Sequence, residues 1–304
     1  MIVSGRGGNA PSRPAKDAPP YVMRRRTRRL LVVSNCQTFS VVHCMQAMTD
    51  CLVDGLTIAE FHALDDEARA GLDAYDAIFA IPGAMEGHAA KLTARYVALP
   101  HLYFPAFHPD LMHDNMKGQD GRAVVAPAGN SAIAAGCFLH GLTVTRTVDM
   151  FRQEVFAQLG YLACWDTARD RWLERCRRLG YDAGQDFYRW CAQGCFMYTA
   201  NHPRLFCVMD YAADALRRAG IEAAPCYDRV SDSLQLGAIF PVYDDIAACY
   251  GVPGSYRFKP GGTNYTLGLA EYVEVSFSVY RAAGKLRLSR FDQPLIDRIR
   301  ALLP

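Results

Sequence analysis

The apolar run Leu30-Leu31-Val32-Val33 stops abruptly at the polar turn Ser34-Asn35-Cys36-Gln37, and apolar residues then recur at Val41, Cys44, Met45, Met48 and Leu52. That spacing puts them on one face of a helix. A short continuous β-prone run reads as a strand buried on both faces, and a helix that follows it at once must fold back over one of those faces. Further strands are expected at 56–61, 76–81 and 101–104, the last two stopped by Pro82-Gly83 and Pro105, with helices over 63–73 and 86–97. The alternation predicts an α/β fold: an open, mostly parallel sheet with flanking helices over residues 28–125.

Beyond it the pattern turns helical, with segments at 131–139, 144–164, 167–179, 185–193 and 204–219. Residues 225–275 are rich in Pro and Gly and are expected to form long ordered loops able to wrap a ligand. Residues 126–304 thus read as a mainly helical lobe with long loops that completes a cleft begun by the sheet. Residues 1–27 form a basic leader with almost no large apolar side chains, which is expected to be disordered.

Charge separates the leader from the rest. Residues 1–29 carry eight Lys+Arg and one Asp, which leaves 25 basic and 30 acidic residues in the remainder. A mildly acidic body speaks against a nucleic-acid groove. The basic stretch from Arg24 is followed by too short an apolar run for a signal peptide, whose core is about 7–15 residues, and no run approaches the ~18 residues of a membrane span. Peripheral membrane association stays open. Eleven cysteines, an odd number without a C-x-x-C pair, suit a reducing cytoplasm better than a disulfide framework and give no metal site.

Three segments carry candidate chemistry. Cys36 sits where a parallel strand meets a helix N-terminus, the usual ligand position in open α/β sheets. The helix dipole is expected to lower its pKa and make it a nucleophile, while Ser34, Asn35 and Gln37 line the same turn and the two amides can hold an oxyanion. His108, in Phe107-His108-Pro109-Asp110, is a candidate base with Asp110 to orient it. His202, in Asn201-His202-Pro203, is a second candidate base, with Asn201 beside it as a ligand or a helix cap. Asn130 and Ser131 open a helix whose amides can accept a phosphate, and Arg257 and Lys259 beside Gly261-Gly262 are candidate phosphate partners. Each of these also admits a plain structural role.

Taken in order, Asn35-Cys36-Gln37, Phe107 to Asp110, Gly141 to Thr143 and Asn201 to Pro203 resemble the WcbI family of capsule polysaccharide-biosynthesis enzymes, over nearly the whole chain after residue 28. The resemblance implies a cradle-like α/β fold with a deep cleft for coenzyme A and an acetyltransferase that acts on a capsular sugar. One departure is Ser34, where the family usually has Gly; a positive φ there would strain a serine.

The expected activity is therefore a cytoplasmic, CoA-dependent O-acyltransferase that uses acetyl-CoA and a sugar or nucleotide-sugar hydroxyl. Cys36 either takes the acyl group or lines the site, and His108 or His202 deprotonates the acceptor. Two alternatives stand beside it: a cysteine-dependent esterase-type hydrolase, and a non-catalytic nucleotide- or CoA-binding module of a polysaccharide-synthesis complex.

Overall fold

The computed structural model describes residues 28–87, 93–224 and 230–303; the expected disordered leader lies outside them. Strand β1 (Arg29–Ser34) leads into helix α1 (Thr38–Met48), β2 (Leu52–Thr57), the short helices α2 (Ile58–His62) and α3 (Asp66–Ala70), β3 (Ala77–Ala80) and β4 (Arg95–Ala98). The four strands are parallel, in the order β2-β1-β3-β4.

The central place of β1 explains its sequence. Leu30 and Val32 join the main core with Val41 and Met45 of α1, whereas Leu31 and Val33 pack on the other face with Phe61, Ile78 and Met85. Each such fully buried side chain contributes about 1.5–3 kcal/mol. Helix α1 lies so close over β2 that a Cβ at Gly55 would fall 2.8 Å from Val42 Cγ2, so this crossing needs glycine.

Two register expectations are corrected. The second strand lies at Leu52–Thr57, not 56–61, because Thr57 and Glu60 form a reciprocal capping box that starts α2. Leu52, expected on the α1 face, begins this strand. The fourth strand is Arg95–Ala98, where a helix was expected; its run Tyr96-Val97-Ala98 pairs with β3, and residues 99–104 leave the sheet as irregular chain.

A two-stranded ribbon, β5 (Met116–Lys117) with β6 (Ala123–Val124), comes next. Then follow α4 (Ala132–Leu139), α5 (Val144–Val148), α6 (Gln153–Leu159), α7 (Trp165–Arg178) and α8 (Gly184–Ala192). The expected long helix over 144–164 is thus broken, and α6 ends on Gly160 at φ 77°, a left-handed cap that glycine adopts freely. A second ribbon, β7 (Met197–Thr199) with β8 (His202–Pro203), precedes α9 (Leu205–Arg218), which packs on α1. The expected loop region contains α10 (Asp244–Tyr250); α11 (Leu269–Ala282) and α12 (Gln293–Ala301) close the chain. One apolar core runs from Leu30 in the sheet to Ile299 in α12. Among the described residues no helix is long and apolar enough to cross a membrane.

Candidate active site

The chain leaves β1, β3 and β4 at one sheet edge, so Asn35–Gln37, Ile81-Pro82 and the 99–103 segment gather there. Ser34 ends β1 buried, and no non-glycine residue among those described has positive φ, so serine in place of glycine is unstrained. Asn35 Oδ1 accepts the Gln37 backbone N–H at 3.1 Å, which leaves Nδ2 to donate to His101 Nε2 at 2.6 Å. His101 is therefore a neutral imidazole with its proton on Nδ1. Burial, then the charges of Arg175 and His113, bring its pKa down to about 4.

Gln37 is buried and spends both side-chain donors on carbonyls, to Leu102 at 2.8 Å and Asn201 at 2.7 Å. It therefore ties the first turn to two other segments, and its amide is not free for an oxyanion. Asn201 is placed by that tie. Its Oδ1 accepts the Thr199 hydroxyl at 2.9 Å, so Nδ2 points at the Cys36 sulfur, 3.5 Å away.

Cys36 is exposed. The walls around the sulfur remove water from one side, and this desolvation raises the thiol pKa, opposed in part by a hydrogen bond from its own backbone. The lowering expected from the helix dipole is not found, because no cation contributes to offset the lost hydration. Asn201, not a histidine, is the polar side chain at the sulfur.

Two compartments lie nearby, the first bordered by His101, the partner of Asn35, and the second by Asn201, the partner of Cys36. The first, about 660 Å³, is bordered by Pro82, His101, Tyr103 and one side of α7 that carries Arg171, Arg175 and Arg178. Arg178 pairs with Glu174 at 2.9 Å, and Arg175 reaches the His101 carbonyl at 3.4 Å. Among the described residues no carboxylate pairs with Arg171 or Arg175, so their charge is available to an anion. The second compartment, about 480 Å³, is bordered by Asp114, Asn115, the 125–130 loop, Asn201 and His202. Tyr103 and His113 border both.

His202 sits in the second compartment with its Nδ1 buried and without a partner, and burial lowers its pKa, so the ring is neutral near pH 7. His108 is different. It is 1% exposed, wedged between the Phe107 and Phe240 rings, and neither ring nitrogen has a hydrogen-bond partner of ordinary geometry; the Phe240 backbone only moderates the effect of burial, which pulls its pKa down to about 3. A base must reach the proton that it takes. The base role expected of His108 is therefore corrected to that of a core residue.

Asp110 does not orient His108 either. Its buried carboxylate accepts from Ser131 Oγ at 2.5 Å, Tyr243 at 2.7 Å, Tyr161 at 3.0 Å and the Ile133 backbone at 3.0 Å, and burial still raises its pKa to about 6. The same bonds correct the phosphate role of the α4 N-terminus. Ile133 N–H goes to Asp110 Oδ1, Ala134 N–H to Ser131 Oγ and Ala132 N–H to the Asp110 carbonyl, so those amides are consumed. Asn130 is equally occupied: its amide donates to the Val124 carbonyl and accepts the Ala126 N–H. Lys259 directs its ammonium at the carbonyls of Gln235, Leu236 and Gly237, and Arg257 is exposed outside both compartments.

His101, Tyr103, Arg171 and Arg175 were not among the residues expected from sequence. The arginines had a readable signal, since positions 171, 175 and 178 share a face of the helix expected over 167–179. His101 had none, because its role depends on a contact 66 residues away.

The family model for the polysaccharide biosynthesis enzyme WcbI matches residues 29–224. Among solved structures, the chain is similar to one described as WcbI, a novel polysaccharide biosynthesis enzyme, in its native form without the disulfide bond between coenzyme A and a cysteine. The two share 12% identity over 91% of this chain and 96% of that one, with a TM-score of 0.58, a likeness of fold. No curated protein matches the chain.

Proposed function

Since this chain belongs to the WcbI family of polysaccharide biosynthesis enzymes, we propose that it is an O-acyltransferase that moves an acyl group, acetyl in the simplest case, from coenzyme A to a sugar hydroxyl. The observation that carries this reading is the line from the Arg171–Arg175 face, past His101 and Asn35, to Cys36 and the Asn201 amide. A long ligand with phosphates at one end and a sulfur at the other matches that line. The coenzyme A–cysteine disulfide named for the solved relative supports it, because a thiol at the place of Cys36 would meet the coenzyme's sulfur.

Arg171 and Arg175 would hold the phosphates. Asn201 Nδ2, fixed by Thr199 and Gln37, would donate to the thioester oxygen as it becomes an oxyanion; one such donor is worth about 100- to 1000-fold in rate. Neutral His202 would take the proton of the acceptor hydroxyl as its oxygen bonds to the acyl carbon, and would return that proton to the departing thiolate. Cys36 would then line the site and take no acyl group, since its thiol is raised and its side-chain partner among the described residues is Asn201, not a histidine. The esterase reading loses its support on the same ground. Acyl-CoA supply would place the reaction in the cytoplasm.

The test is acceptor-dependent release of coenzyme A from acetyl-CoA. The reading expects His202→Ala and Asn201→Ala to lose most of this turnover while coenzyme A still binds. Equal turnover in all three proteins would refute it.

A further inference from the structure

The two compartments differ in charge, and the difference identifies the acceptor. The first holds Arg171, Arg175 and Arg178 against one carboxylate, Glu174. The second has no Arg or Lys among the described residues that border it; its carboxylate is that of the half-buried Asp114, whose side-chain partner is the His113 ring at 3.4 Å. Lys259 gives its ammonium to three backbone carbonyls, those of Gln235, Leu236 and Gly237.

The rest of that wall suits hydroxyl groups. Asn115 offers a neutral donor and acceptor, and Tyr103 and Pro127 to Gly129 border the same space. Asp114 is held in place by Asp292, whose carboxylate accepts the backbone N–H groups of His113 and Asp114 at 2.7 and 3.1 Å. Carboxylate, amide and aromatic ring recognise an uncharged sugar. A diphosphate in the same space would meet Asp114 and, among the described residues that border it, no Arg or Lys to replace its lost hydration.

We infer that the second compartment is the acceptor subsite, and that the acceptor is a neutral glycosyl unit, free or part of a glycan, and not a nucleoside-diphosphate sugar. The inference rests on the acyltransferase reading, since it presupposes that the arginine side takes the donor. His202, on the wall of this compartment, then faces the acceptor where it meets the thioester.

The test uses the full chain. Coenzyme A is titrated first; absence of binding would overturn the acyltransferase reading, and this inference with it. The coenzyme-loaded protein is then offered a panel of neutral methyl hexosides and short neutral oligosaccharides, and UDP- and GDP-hexoses, with saturation-transfer NMR to measure affinity. At least one neutral sugar should bind about tenfold or more tighter than any nucleotide sugar, and Asp114→Lys should narrow that gap by about tenfold. Circular dichroism and retained coenzyme A affinity would show that this variant is folded. Tighter binding of the nucleotide sugars, or binding of neither class, would overturn the inference while coenzyme A binding left the acyltransferase reading standing.

Discussion

Asn201 holds its side-chain Nδ2 3.5 Å from the Cys36 sulfur, although 165 residues separate the two in sequence. The direction of that amide is set twice, by the Thr199 hydroxyl on its Oδ1 and by Gln37 on its backbone carbonyl. An N–H fixed in advance where charge develops needs no reorganisation during reaction. Asn201→Ala is thus expected to lower turnover by ~100-fold or more, whereas Cys36→Ala should stay within about tenfold of the parent. Steady-state assays with acetyl-CoA decide between this and a covalent route, in which Cys36→Ala would be inactive.

Gln37 links three segments through two hydrogen bonds, one buried and one part-buried. Gln37→Ala leaves the carbonyls of Leu102 and Asn201 without that donor, at a cost of about 1–3 kcal/mol for each buried group left unsatisfied. Chemical denaturation should show that loss, and coenzyme-dependent turnover should fall with it, because Asn201 loses one of its two restraints. Unchanged stability would show that the tie does not position the site.

How much of this was legible in the sequence depends on the range of the contacts. The apolar run of β1 and the spacing of Val41, Cys44 and Met45 are local signals, and they fixed the parallel sheet and its first helix. The shift of β2 was also local, since Thr57 and Glu60 spell out a helix cap. β4 was missed because its four residues are too short to show a period, and only pairing with β3 makes them a strand. Within the site, Asn201 and His202 border the second compartment and Cys36 lies 3.5 Å from the Asn201 amide, but no pattern could separate His202 from His108. Both are His-Pro pairs; one lines a compartment and the other is sealed among aromatic rings.

The sealed histidine has a consequence for stability. The folded state holds His108 neutral, with a pKa of about 3 against an ordinary 6.5, so the unfolded chain takes up a proton first as the pH falls. Stability present above pH 6.5 is lost as the pH falls from there towards 3, by up to about 1.4 kcal/mol per unit. His108→Leu should flatten this acid slope relative to the parent. It should also keep or raise stability at neutral pH, since it removes two unpaired buried nitrogens. Denaturation midpoints at a series of pH values check this; an identical slope in both proteins would contradict it. Asp110, raised to about 6, acts in the opposite sense, with stability lost as the pH rises from 3.8 through 6. It is common to both proteins and cancels in the comparison.

The catalytic pH profile follows from His202. Burial lowers its pKa below the ordinary 6.5, so the neutral form that acts as base persists into mildly acidic solution. The acid limb of kcat/KM should therefore lie below pH 6.5, and it should vanish with the activity in His202→Ala. A limb above that value would assign the base elsewhere.

The central claim is that the arginine face of α7 binds the phosphates of coenzyme A. It is tested most directly by calorimetric titration with coenzyme A and with 3′-dephospho-coenzyme A, in the parent and in the Arg171→Ala/Arg175→Ala variant. The account predicts one saturable site, weaker by about tenfold or more without the 3′-phosphate or without the arginines, with the parent's advantage shrinking as salt is raised. No binding up to millimolar coenzyme A, or equal affinity in parent and variant, would contradict it.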